Sequence, residues 1–105
     1  MTYRFEEENY QNTYVLEDFY HTHPFYEYNY VVVRLRDQDN RDNAFAFQVN
    51  FNKTFNPLPD HPRLTDVQAQ IAKGFAKDAP DELILLFKQR VVEAKAYGEK
   101  NQPPN

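Results

Sequence analysis

Among its 105 residues the chain has no cysteine, no serine and no tryptophan, and its two glycines are isolated at Gly74 and Gly98. Without cysteine there is no disulfide framework, no thiolate nucleophile and no cysteine-bound zinc. Without serine there is no serine triad and no nucleophile elbow. Two isolated glycines cannot form a phosphate-binding loop or a dinucleotide fingerprint. The longest apolar run, Leu83–Phe87, is five residues, far short of the ~20 that a membrane span needs. No basic region leads into an apolar stretch after Met1, so no signal peptide is expected. A chain of this kind is held by packing alone, which suits a reducing, cytoplasmic setting.

What the chain does carry is aromatic and acidic. Eight Tyr and nine Phe make up 16% of it, and the net charge is −4 with pI near 5.3. That balance argues against broad electrostatic capture of nucleic acid or of an anionic membrane. The distribution is uneven: 14 of the 17 aromatics lie in residues 1–55, where acids also outnumber bases by nine to five. The first half is therefore β-like and the second half helical. The length suits one domain, 1–100, with a frayed Pro-containing tail at 101–105.

Period-two alternation is clearest from Phe25 to Asp37. One face reads Phe25, Glu27, Asn29, Val31, Val33, Leu35; the other reads Tyr26, Tyr28, Tyr30, Val32, Arg34, Arg36. A second alternating run puts Phe45, Phe47, Val49 and Phe51 on one side and Ala44, Ala46, Gln48 and Asn50 on the other. With the polar link 38–43 between them, the two runs form an antiparallel hairpin. Setting Leu35 opposite Phe45 makes Val33–Phe47 and Val31–Val49 neighbours on the buried face. Upstream, Tyr3–Glu8 and Thr13–Phe19 read as two further strands around a turn at Asn9–Asn12.

Beyond Asn56 comes a Pro-rich connector, then helix signals. Thr65 with Gln68 three residues on makes a capping box. Val67, Ile71, Gly74 and Phe75 share a side, flanked by Ala69, Ala72 and Ala76, and Gly74 suggests a close backbone approach. Pro80 with Asp81 and Glu82 opens a second helix, expected to stop at Tyr97 because Gly98 can take a left-handed conformation. The expected fold is α+β: an antiparallel meander of about four strands over residues ~3–52. Two C-terminal helices, ~65–77 and ~80–97, pack on one of its faces.

No catalytic constellation emerges. Asp60 and His61 are adjacent in an extended segment and point apart. Glu6, Glu7 and Glu8 read as a solvated acidic edge that discourages aggregation. His21 and His23 could share a metal ion, with Glu17 or Asp18 adding oxygen, yet a lone H-x-H is most often a polar turn; no metal or cofactor is expected. Asp37, Asp39 and Asp42 lack the Gly and the distant Glu of a calcium loop, so an exposed polar turn is expected there. Asn43–Phe51 echoes a signature strand of RNA-recognition motifs at Phe45, Ala46 and Phe47 only. Strands also precede helices here instead of alternating with them, so no family is assigned.

A non-enzymatic protein-binding module remains as the expected role: an accessory subunit, an inhibitor or an immunity-type protein. Two surfaces are candidates. The outer sheet face offers Tyr26, Tyr28, Tyr30, Arg34 and Arg36, a combination enriched at protein interfaces. The second helix carries Leu85, Val92 and Ala96 on the side opposite its sheet-facing stripe of Leu83, Ile84, Phe87, Val91 and Ala94. Cover by the first helix is the expected fate of those three; left uncovered, they suit a homodimer or another partner. The alternative role is single-stranded nucleic-acid binding by the same Tyr/Arg face.

Overall fold

The computed structural model describes residues 1–7, 10–20 and 29–100. Five strands, β1 (Thr2–Glu7), β2 (Tyr10–Phe19), β3 (Tyr30–Asp37), β4 (Ala44–Asn50) and β5 (Phe55–Asn56), form one antiparallel sheet in the order β1-β2-β3-β4-β5. Two helices follow, α1 (Asp66–Asp78) and α2 (Asp81–Lys100), and pack against the sheet, so the fold is α+β. Among the described residues no helix is long and apolar enough to cross a membrane.

The hairpin register is the one that alternation predicts. Leu35 faces Phe45, Val33 faces Phe47 and Val31 faces Val49, and all six are buried. The reason is pairwise: a one-residue slip would turn one apolar set to the other side of the pleat, and this register sets all three apolar pairs opposite each other. Their face holds the core. Tyr3 meets Phe75 edge-on at 5.0 Å, and Phe47 meets Phe75 at 6.0 Å and Phe55 at 6.3 Å, both also edge-on. Such T-shaped contacts add to the burial of large rings. Phe51, which the alternation assigns to the core, is only half-buried, with the Lys88 ammonium over its ring at 5.7 Å.

Several boundaries differ from the sequence reading. β2 begins at Tyr10, so Asn12 lies within a strand instead of in a turn; its ladder to β1 continues out to the Glu7–Tyr10 pair. β5 adds a fifth, two-residue strand, too short for any periodicity to reveal. It returns after a three-residue loop, 51–53, whose last residue, Lys53, has φ 67°. The Asn50 N–H donates to the Thr54 carbonyl and the Lys53 N–H to the Asn50 carbonyl. That is a type I turn closed by a left-handed residue, a common three-residue hairpin link.

Asp37 is the third difference. Expected in an exposed loop, it is only 7% exposed, because it continues the inward series of Val31, Val33 and Leu35 by one more step of two. The carboxylate accepts from the Asn12 and Asn43 side chains and from the Asp39 N–H. Burial pushes its pKa up, but these hydrogen bonds outweigh it and hold the carboxyl below its ordinary value.

α1 starts as predicted, with Thr65 accepting from the Gln68 N–H at 3.1 Å and the Gln68 side chain accepting from the Thr65 N–H at 3.0 Å. It buries Ile71, Ala72, Phe75 and Ala76, while Val67 is left exposed at the first turn. α2 buries Ile84 and Phe87. It crosses the end of the sheet where β1 begins and β2 ends. There Arg90 pairs with Asp18, and Lys53 pairs with Asp81 at 2.8 Å. The helix does not stop at Tyr97: it runs through Gly98 to Lys100, and neither glycine adopts a positive φ. A lone glycine costs a helix only about 1 kcal/mol, too little to end one.

Candidate protein-binding surface

With the helices on the core side, the other side of the sheet faces solvent among the described residues. Strand alternation brings Val15, Glu17 and Phe19 of β2, Tyr30, Val32, Arg34 and Arg36 of β3, and Ala44, Ala46 and Gln48 of β4 onto this face. Across the ladder Phe19 lies opposite Val32, Glu17 opposite Arg34, and Val15 opposite Arg36. On the other flank Ala46 and Ala44 face the two arginines. Small alanines there leave the guanidinium groups uncovered; Arg34 is exposed and Phe19 is 48% exposed.

Charge on the face is shared. The Glu17 Oε1 lies 3.5 Å from Arg36 Nε and 3.9 Å from Arg34 Nη2. One carboxylate between two guanidinium groups leaves a local excess of about one positive charge. Partly exposed pairs of this kind contribute at most about 1 kcal/mol to stability, so their effect is to orient the two side chains. Beside Arg34, the connector after β5 rises to form a wall. Arg34, Ala44 and Ala46 with His61, Arg63 and Leu64 line a groove of about 390 Å³.

Of the residues that the sequence places on this surface, Tyr30, Arg34 and Arg36 are on it, with Tyr30 half-buried. Tyr26 and Tyr28 lie outside the described residues, as do His21 and His23. Four contributors escaped the sequence reading. Val15 and Phe19 follow from alternation in Thr13–Phe19 once Leu16 is placed inward. The approach of His61 and Arg63 to Arg34 is a long-range contact with no local signature.

The second candidate surface is also exposed. Leu85 is 56% and Val92 67% accessible, and Ala96 is exposed as well. The expected cover by α1 does not occur, because α1 commits its own apolar residues to the sheet. Among the described residues no group of three or more His, Asp or Glu side chains is placed to hold a metal ion. Nor do Asp60 and His61, both exposed, meet at a buried centre. A polar cluster does exist where α2 meets β2: the Tyr20 hydroxyl donates to Asp18 Oδ2 at 2.7 Å, and Arg90 pairs with the same oxygen. Burial and the neighbouring carboxylate raise the Tyr20 pKa well above its ordinary value, so that hydroxyl stays protonated and acts as a strut. Comparison with protein-family models, with curated proteins and with solved structures gives no match for this chain.

Proposed function

We propose that the chain is a small, non-enzymatic protein-binding module, of accessory-subunit or inhibitor type, that engages its partner through the outer sheet face. The observation that carries this reading is the open patch itself. Phe19, Tyr30 and Val32 offer apolar area next to Arg34 and Arg36, whose directions are set by Glu17. Aromatic and arginine side chains on a rigid sheet lose little entropy when a partner covers them. The half-neutralised arginines favour a protein partner over a polyanion, which gains from every unpaired cation.

The test is a double variant, Phe19→Asp with Arg34→Glu. Phe19 is 48% and the Arg34 side chain 44% exposed, and an acid at position 34 faces Glu17, so the double variant should stay folded at a cost of about 1–2 kcal/mol. Affinity purification from the native cell with the unaltered chain identifies the partner by mass spectrometry; the double variant is expected to lose it while still unfolding cooperatively, at a modestly lower temperature. Retained capture by the folded variant overturns the surface. Binding of labelled single-stranded oligonucleotides that weakens steeply with salt would put the nucleic-acid reading in its place.

A further inference from the structure

The sheet has a second surface with different chemistry: its open edge. β1 pairs with β2 on one side, and no described strand pairs with the other. The Leu16 N–H donates to the Met1 carbonyl at 2.9 Å, which fixes the phase of the ladder. Hydrogen-bonded pairs alternate along antiparallel strands, so Tyr3, Phe5 and Glu7 turn their N–H and C=O groups toward β2. Thr2, Arg4 and Glu6 turn theirs outward.

Alongside that edge, on the core side, runs a groove of about 720 Å³ between β1 and α1. Tyr3, Phe5 and Gly74 form its floor, and Gln70, Lys73 and Lys77 form its far wall. The two elements come within side-chain contact here: a Cβ built on Gly74 would sit 3.4 Å from the Tyr3 hydroxyl and 3.7 Å from the Phe5 ring. Lys73 and Lys77 are exposed and have no ion-pair partner among the described residues. Arg4, by contrast, is already paired with Glu6 at 2.6 Å. Asp78 at one end of the groove leaves the lysine wall with a net positive charge.

We propose that β1 accepts an extended acidic segment of another protein by strand addition. Main-chain hydrogen bonds would form to the outward groups of Thr2, Arg4 and Glu6. Alternate side chains of the added strand would point into the groove, where carboxylates meet Lys73 and Lys77. A second copy of this chain fits less well, because the core side of its own β1 would set Tyr3 and Phe5, not a row of carboxylates, toward the lysines. Pairing β1 with itself would bring a second α1, with an identical lysine wall, into the groove. The edge lies apart from the outer sheet face, so failure of one surface leaves the other standing.

The probe is a fluorescein-labelled octapeptide alternating Val and Glu, compared with its Val–Lys counterpart and with a Val–Glu version N-methylated at every residue, which blocks both of its edges. The acidic peptide is expected to raise anisotropy and to slow amide exchange at Arg4 and Glu6, while the other two do neither. Arg4→Pro removes one outward donor but no β1–β2 bond, and edge strands tolerate proline. It should weaken the acidic peptide about tenfold, the loss of roughly one hydrogen bond. Lys73→Glu with Lys77→Glu, both on an exposed helix face, should reverse the preference toward the Val–Lys peptide. Equal binding of the N-methylated peptide, no binding of the acidic one, or a preference that survives the charge reversal overturns the proposal. So does a concentration-dependent dimer that Arg4→Pro abolishes, which would give the edge to a second copy.

Discussion

At the scale of single residues, Asp37 shows how a buried charge is made tolerable. Its position at the end of β3 is forced inward by the pleat, and an unpaired carboxylate there would be costly. The side chains of Asn12 and Asn43, together with the Asp39 N–H at 2.9 Å, supply donors from a neighbouring strand and from the loop it terminates. Asp37 thereby ties β2 to the β3–β4 link. The folded pKa lies below the unfolded value, so the stabilisation is fully present above the unfolded pKa near 3.8 and is lost as pH falls through the folded value. Melting temperature should therefore decline below about pH 4. Asp37→Asn should cost roughly 1–3 kcal/mol at neutral pH, because donors lose their acceptor, and should flatten that acid limb. An unchanged acid limb in the folded variant would mean that other carboxylates set it. The loop reading that put Asp37 in solvent failed for a simple reason: composition marked Gln38–Asn43 as polar, while the alternation that places Asp37 ran one residue further than the apolar pattern.

At the scale of elements, what was legible depended on whether the signal was local. The β3–β4 register could be read because Val31, Val33 and Leu35 and Phe45, Phe47 and Val49 each carry their own period. The α1 start could be read because Thr65 and Gln68 satisfy each other within one turn. β5 has two residues and owes its existence to the Asn50–Thr54 turn, and α2 passes Gly98 because a single glycine is too weak a stop signal. Gly74 illustrates a signal read correctly in kind but not in degree. The glycine does sit where α1 meets Tyr3 and Phe5, yet separations of 3.4 and 3.7 Å from a built Cβ are ordinary contacts. Gly74→Ala should therefore fit, and the gain in helix propensity of up to about 1 kcal/mol should raise the melting temperature by roughly 4–8 °C. A fall in melting temperature would show that Tyr3 cannot move by even a few tenths of an ångström. The candidate surface divides in the same way. Tyr30, Arg34 and Arg36 came from one strand's alternation, whereas the approach of His61 and Arg63 required the tertiary path of the connector.

At the scale of the whole molecule, α2 is held most firmly along its first half. There Leu83, Ile84 and Phe87 meet the core, Asp81 pairs with Lys53, Lys88 lies over Phe51, and Arg90 pairs with Asp18. From Val91 to Lys100 no side chain is fully buried: Val91, Ala94 and Lys95 are half-buried, and Val92 and Tyr97 are more than 60% exposed. Turns without a fully buried side chain gain less from packing, and packing supplies most of a helix's stability, so this half should be the weaker one. Amide exchange is therefore expected to be slowest through Arg90 and faster beyond it. A chain ending at Ala94 should keep its fold and lose about 1 kcal/mol, the contribution of the partly exposed turns it lacks. Arg90→Ala should lower stability by about 1 kcal/mol, as a half-exposed ion pair does, and shift the boundary of protection toward Phe87. The same measurement decides the fate of Leu85, Val92 and Ala96. If a second copy covered that face, exchange would be slow to Tyr97, and the truncated chain would lose stability in proportion to the logarithm of protein concentration. Protection that weakens beyond Arg90 equally at every concentration leaves the face unpaired in the isolated chain and the sheet as the surface proposed for binding.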